Sequence, residues 1–118
     1  MDTCDFNINR PVKRVYHAIL TQTATNDPVS ALLENTLSVP GWIRTVAGTF
    51  TLTKVGAFVV GKTSPAKAQS YFDEFGNKYK ITPTSADVMT LQTFAAANTN
   101  VPADGILVNE EIYLEVYS

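Results

Sequence analysis

The sequence predicts an all-β domain, a small antiparallel β-sandwich or barrel of seven to eight short strands, with one short helix as an option around residues 65–75. Fifteen threonines, eight asparagines and six each of Gly and Pro are scattered without low complexity. Branched Thr packs well on a pleated surface, whereas Gly, Pro and Asn close turns. Short apolar runs recur with turn signals at intervals of about 8 to 12 residues, the spacing of a sandwich or small barrel. The chain has 118 residues, 45% hydrophobic and 17% charged. That is one domain's worth of sequence, with enough apolar material for a core and too much for a disordered tail.

Taken in order, residues 1–11 mix polar side chains with isolated Phe6 and Ile8 and end in Asn9-Arg10-Pro11. They read as an N-terminal arm or edge strand ahead of a single sandwich domain over 12–118. Residues 13–22 carry Val15, His17 and Ile19 on one parity and Tyr16, Ala18 and Leu20 on the other, as a central strand covered on both faces would. Thr25-Asn26-Asp27-Pro28 signals a turn. Residues 29–37 are ambiguous, too short for a stable helix before Val39-Pro40-Gly41. Residues 42–47 and 49–55 alternate around Gly48 as a hairpin with one wet face, and 57–60 form a short apolar strand between Gly56 and Gly61.

Residues 64–76 support two readings. Ser64-Pro65 makes an N-cap and first helical position, Ala68, Tyr71, Phe72 and Phe75 fall at helical spacing, and Gly76 sits where a helix-terminating glycine belongs. The competing reading is a pair of strands, 69–73 and 78–82, joined through Phe75-Gly76-Asn77. Strands follow at 87–94 and 110–117, the last with Ile112, Leu114 and Val116 facing a core and Glu111, Tyr113, Glu115 and Tyr117 facing out. Residues 95–105 read as a long polar loop.

Nine Lys plus Arg against eleven Asp plus Glu give a net charge of -2 without a basic block, so no nucleic-acid partner is expected. One cysteine, Cys4, makes no internal disulfide, and with the single His17 it is too small a ligand set for structural zinc. No apolar stretch approaches the length that spans a bilayer, and Met1-Asp2-Thr3-Cys4-Asp5 is acidic where a signal peptide is basic. Synthesis in a cytoplasm and no membrane partner are therefore expected.

One catalytic pattern is matched literally: Gly56 to Thr63 fits G-x-x-x-x-G-K-[ST], the loop whose amides wrap phosphates while its Lys and Thr serve the γ-phosphate and Mg²⁺. Ala57-Phe58-Val59-Val60 favours extended backbone over a phosphate cradle, and the βαβ units that house such a loop are missing. A Cys4–His17 dyad lacks an orienting third group, no G-x-S-x-G elbow occurs, and no spacing pairs two carboxylates for glycoside hydrolysis. Asp73-Glu74 fits turn chemistry or a solvated helix end, and Asp104-Gly105 lacks the ligand ladder of a calcium loop. No catalytic, cofactor-binding or metal residue is assigned, and the chain is not read as an enzyme. Trp42, Tyr71, Tyr113 and Tyr117 suit either sugar stacking or a core with hydroxyls at its rim.

As a set, Tyr16 to Gln22, Asp27-Pro28, Leu33 to Leu37, Trp42-Ile43-Arg44, Gly48-Thr49-Phe50, Gly56-Ala57-Phe58 and Lys62-Thr63 resemble small β-rich virion-associated proteins of tailed phages of Bacteroidetes, crAss-like phages included. Asp104 to Leu107 and Ile112 to Tyr117 are similar as well, and the likeness departs most between Ser64 and Gly76. The resemblance implies a bacteriophage virion structural protein: a capsid auxiliary or decoration protein, a head-fibre component, or a small appendage domain. It implies localisation in the virion and partnership with a phage capsid or other virion protein, without cofactors. A homo-oligomer is expected because edge strands of a small sandwich need cover. The alternatives are a carbohydrate-binding domain recognising a host-surface glycan and, more remotely, a nucleotide-binding enzyme using Lys62.

Overall fold

The computed structural model describes residues 13–117, and over these the chain is all-β. Ten strands follow in order: β1 (Lys13–Thr21), β2 (Val29–Asn35), β3 (Ile43–Val46), β4 (Thr49–Thr53), β5 (Thr63–Ser64), β6 (Gln69–Phe72), β7 (Lys78–Pro83), β8 (Val88–Ala95), β9 (Asn98–Pro102) and β10 (Glu110–Tyr117). They form two antiparallel sheets, one ordered β2-β1-β10-β5 and the other β3-β4-β8-β7-β6, with β9 paired to β8. The N-terminal arm expected over 1–11 lies outside the described residues.

Alternation decides which side chains meet between the sheets. β1 sends in Tyr16, Ala18 and Leu20, and β10 sends in Ile112, Leu114 and Val116. Facing them are Phe50 and Leu52 of β4, Met89 and Leu91 of β8, and Tyr79 and Ile81 of β7. Leu37, Val39, Trp42, Phe58 and Leu107, all from connections, close the rim of this core. β1 is interior to its sheet, as its two-parity apolar pattern implies, and pairs with β10 from Lys13↔Tyr117 to Leu20↔Glu110.

Four expectations are settled or corrected. Among the described residues the strands number ten rather than seven or eight: the segment read as a polar loop over 95–105 contains β9, which turns back at Ala96-Ala97, and the two-residue β5 adds another. Its polar composition suits an exposed strand that buries no full face. The apolar run 57–60 is not a strand. Hydrogen bonds from Ala57 N–H to Lys54 O and from Lys62 N–H to Val59 O make it two successive turns, with Phe58 buried and Val60 exposed. The ambiguous 29–37 resolves into β2.

At 64–76 the hairpin, not the helix, is formed. Asp73 caps the turn: its Oδ1 accepts the N–H groups of Phe75 (2.9 Å) and Asn77 (3.0 Å), and Gly76 takes φ +85°, serving a turn rather than a helix end. Tyr71 and Tyr79, opposite each other across β6 and β7, stack with centroids 5.1 Å apart. Helical spacing would have put Phe72 beside Tyr71 on one face; in the strand it points outward and is 61% exposed.

The sheets are tied at one end by a single carboxylate. Asp104, between β9 and β10, accepts Nε (3.0 Å) and Nη2 (2.7 Å) of Arg44 on β3, Nε2 of Gln22 at the end of β1 (2.9 Å) and the N–H of Gly48 (3.0 Å). Gln22 Oε1 in turn accepts the N–H of Gly105 at 2.9 Å. The Arg44 guanidinium, with Gly48 and Gln22, holds the Asp104 carboxyl well below the usual carboxylate range, outweighing the upward push of partial burial. Gly48 is itself fixed: at φ +61° a Cβ there would lie 2.3 Å from Ala103 N, so no other residue fits without moving the backbone.

Two outcomes are expected. Because the folded pKa of Asp104 lies below its unfolded value, the stability it contributes is fully present above about pH 4 and is lost as pH falls toward the folded value. Asp104→Asn should therefore lower the urea midpoint at neutral pH and flatten the decline in stability between roughly pH 4 and pH 2; an unchanged acid limb would refute this. Gly48→Ala should cost about 2 kcal/mol or more through steric overlap and left-handed backbone strain, read as a shift of the denaturant midpoint at constant slope.

Candidate functional site

β2 and β3 are the edge strands of their respective sheets. The seven-residue connection 36–42 stacks them on the same side of the sandwich, and a groove of about 360 Å³ runs between them. This side wall is apolar where edges of soluble proteins are ordinarily charged. Val29, Leu32 and Leu33 on β2 are 56–69% exposed, and Ile43 and Val46 of β3 are 52% and 60% exposed. β2 carries no Lys or Pro, and its protective devices are the exposed Glu34 and a bulge, in which Glu34 pairs with His17 and Leu32 with Ala18, leaving Leu33 as the extra residue.

The connection is built to hold this geometry. Asn35 clips it by giving Nδ2 to Val39 O and accepting Val39 N–H, and Thr36 Oγ1 accepts the N–H of Val15 at 2.8 Å. Leu37, Val39 and Trp42 then turn inward. On the other rim, Asp27 Oδ1 accepts the N–H of Arg44 at 2.8 Å, anchoring the start of β3 to the turn at Thr25 to Pro28. The groove thus has a fixed apolar mouth, Leu32 and Ile43, over the side of a buried indole.

The residues singled out in the sequence fall apart rather than together. Trp42 is 1% exposed, packed edge-to-face on Tyr16 at 6.4 Å, and its ring belongs to the core. Its indole N–H is buried without a hydrogen-bond partner among the described residues. Tyr71 is partly buried and gives its hydroxyl to Glu110 Oε2 at 3.1 Å. Tyr113 and Tyr117 stand on the outer face of β10, both donating to Glu115 at 2.6 Å. Those bonds stabilise the neutral phenol, so Tyr113 is pushed up to about 12. His17 lies opposite Tyr113 and shares a hydrogen bond with Glu111 Oε2; Cys4, weighed with it above as a dyad and set aside, lies outside the described residues.

The Gly56–Thr63 pattern does not form a phosphate cradle. No helix follows it, Lys62 N–H is spent on Val59 O, and the buried Thr63 gives its hydroxyl to Glu115 O at 3.2 Å. Lys62 instead lies with Lys54 and Arg14 around a separate hollow of about 270 Å³ walled by Leu37, Val59 and Val116.

At the opposite end a cleft of about 350 Å³ lies between the β6–β7 turn and the start of β10. It brings together Asp73 and Glu110, two carboxylates that no spacing in the sequence pairs. Burial raises the Glu110 pKa. Asp73 goes the other way: burial pushes it up, but hydrogen bonds from Tyr79 Oη (2.7 Å), Phe75 N–H, Asn77 N–H and Asn77 Nδ2 outweigh this and lower it. Asp73 has both oxygens occupied in locking its turn, the turn chemistry expected of Asp73-Glu74. Among the described residues no group of three or more His, Cys, Asp or Glu is placed to hold a metal ion.

What the sequence missed is the role of β2. Val29-Ser30-Ala31-Leu32-Leu33 has no clean alternation, and that blurred pattern was the available signal of a strand with neither face fully covered. Comparison with family models, with curated proteins and with solved structures finds no match to this chain. One outcome separates the two readings of the Gly56–Thr63 segment. Thr63→Val should cost about 1 kcal/mol by orphaning a buried hydrogen bond, while Lys62→Ala leaves the melting temperature unchanged. Comparable losses of Mg·ATP binding in both variants would instead restore the phosphate-loop assignment.

Proposed function

We propose that the protein is a bacteriophage virion structural component, a capsid auxiliary or head-fibre subunit that works by protein–protein contact. The observation that carries the reading is the apolar side wall of β2 and β3, two edge strands that expose five aliphatic side chains, two of which, Leu32 and Ile43, line a groove between them. An extended segment of a capsid protein adding to β2 would gain main-chain hydrogen bonds from the ladder and place alternate side chains against Leu32 and Ile43. On a symmetric shell the same site recurs many times, so a modest single contact is amplified when linked subunits engage together. The sequence resemblance described above points to the same class of protein.

A glycan-binding role fits less well. The strongest stacking ring, Trp42, is in the core, and Tyr113, though 47% exposed, is tied to Glu115.

The virion reading has a direct measurement. Mass spectrometry of purified particles should find this chain in multiple copies, and its absence would overturn the proposal. Leu32→Asp should abolish co-sedimentation with capsids while leaving the melting temperature within a degree or so, since Leu32 is exposed. Full co-sedimentation of that variant, with loss on deleting residues 1–11, would transfer the contact from the side wall to the N-terminal arm.

A further inference from the structure

The two ends of the sandwich differ in charge. β10 runs from one to the other: Glu110 opens it beside the acidic cleft and Tyr117 closes it beside the hollow at Lys62, roughly 25 Å away at the rise of an extended strand. The hollow has three cations on its lining, Arg14, Lys54 and Lys62, and no acidic residue. None of the three takes part in an ion pair among the described residues. Two carboxylates beside its lining are committed elsewhere: Asp87 Oδ1 accepts Gly56 N–H at 2.7 Å, and Glu115 accepts two tyrosine hydroxyls and faces Lys13 at 3.6 Å. Between the cations the lining is aliphatic apart from Gly56 and Tyr117.

The far end projects what such a hollow would take. The β6–β7 turn ends in Glu74 and Phe75, the latter 75% exposed, and Asp73 holds the turn rigid through four hydrogen bonds. An aromatic side chain displayed on a fixed turn loses little conformational freedom on docking, the property of an interface anchor. A cavity of about 150 Å³ suffices to take a benzene ring, so the hollow of about 270 Å³ has room for Phe75 with Glu74 beside it.

We infer that copies of this chain associate head to tail, the Glu74-Phe75 tip of one inserting into the hollow between Arg14, Lys54 and Lys62 of the next. The carboxylate meets cations that form no ion pair among the described residues, and the ring meets Val55 and Val59, the exposed aliphatic side chains of the lining. Since the donor and acceptor surfaces are different patches at opposite ends, the contact is heterologous, and it builds a ring if the rotation closes and a filament if it does not. It leaves the β2–β3 side wall free and does not depend on the virion assignment.

Sedimentation velocity on the full chain should show concentration-dependent oligomers that dissociate as salt rises from roughly 50 mM to roughly 500 mM. Lys54→Glu combined with Lys62→Glu should weaken association at least about tenfold, and so should Glu74→Lys combined with Phe75→Ser. The decisive experiment mixes the two double variants. Each keeps one intact surface, so each alone should be monomeric and the mixture should stop at a one-to-one dimer. A monomeric wild type, a mixture that stays monomeric, or variants that still oligomerise would each overturn the proposal. Loss of association on deleting residues 1–11, with the tip and hollow intact, would overturn it as well. Unchanged circular dichroism and melting temperature in both variants establish that a loss reflects the contact and not the fold.

Discussion

The geometry of one end of this sandwich rests on the Asp104 carboxylate. Two sheets that face each other through apolar side chains alone are free to slide, because hydrophobic attraction has no direction. Asp104 supplies direction: it reaches Gln22 at the end of a strand in one sheet and Arg44 and Gly48 in the other. Arg44 is bound through two nitrogens, which fixes orientation as well as distance. Gly48 has to be glycine for the carboxylate's own loop to pass, since Ala103 lies where a side chain would go. A polar cluster with its partners in place thus sets the register that the core then fills.

That arrangement explains how the apolar residues are divided. The core uses the inward parity of β1, β4, β7, β8 and β10, closed at its rim by side chains from loops. Apolar residues left on β2 and β3 stay exposed, and each strand is the last of its sheet, with no further strand beside it. The side wall is therefore a consequence of topology as much as of composition. A sandwich of this size has few strands to spare as covers, and its uncovered edges are where another chain finds main-chain donors and acceptors.

Much of this fold is legible in the sequence where alternation is strong. β10 matches its expected bounds because Ile112, Leu114 and Val116 alternate cleanly with polar partners, and β1 follows from apolar residues on both parities. Legibility fails where a side chain's partner is remote. Asp73 decides between helix and hairpin at 64–76 through bonds to Phe75, Asn77 and Tyr79, whereas the Ala68-Tyr71-Phe72-Phe75 spacing imitates a helix face. Asp104 reads as one more loop aspartate, since Gln22 lies 82 residues away and Arg44 lies 60. The short apolar run Ala57 to Val60 reads as a strand because composition cannot show that Phe58 alone is pulled inward. The exposed wall was the least legible part: whether Leu32 is covered depends on which strand is last in the sheet, and strand order is not a local property.

The pairing of β1 with β10 along eight positions has a bearing on biosynthesis. The ribosome releases β1 first, yet the strand that completes one flank of it is made some ninety residues later. Until then the hydrophobic row of Tyr16, Ala18 and Leu20 has only β2 beside it, and long-range closure of this kind is slow compared with local hairpins. The nascent chain therefore passes through an interval in which a sticky half-sheet waits for its missing member, and crowding or chaperone supply during translation will set how much of it survives to fold.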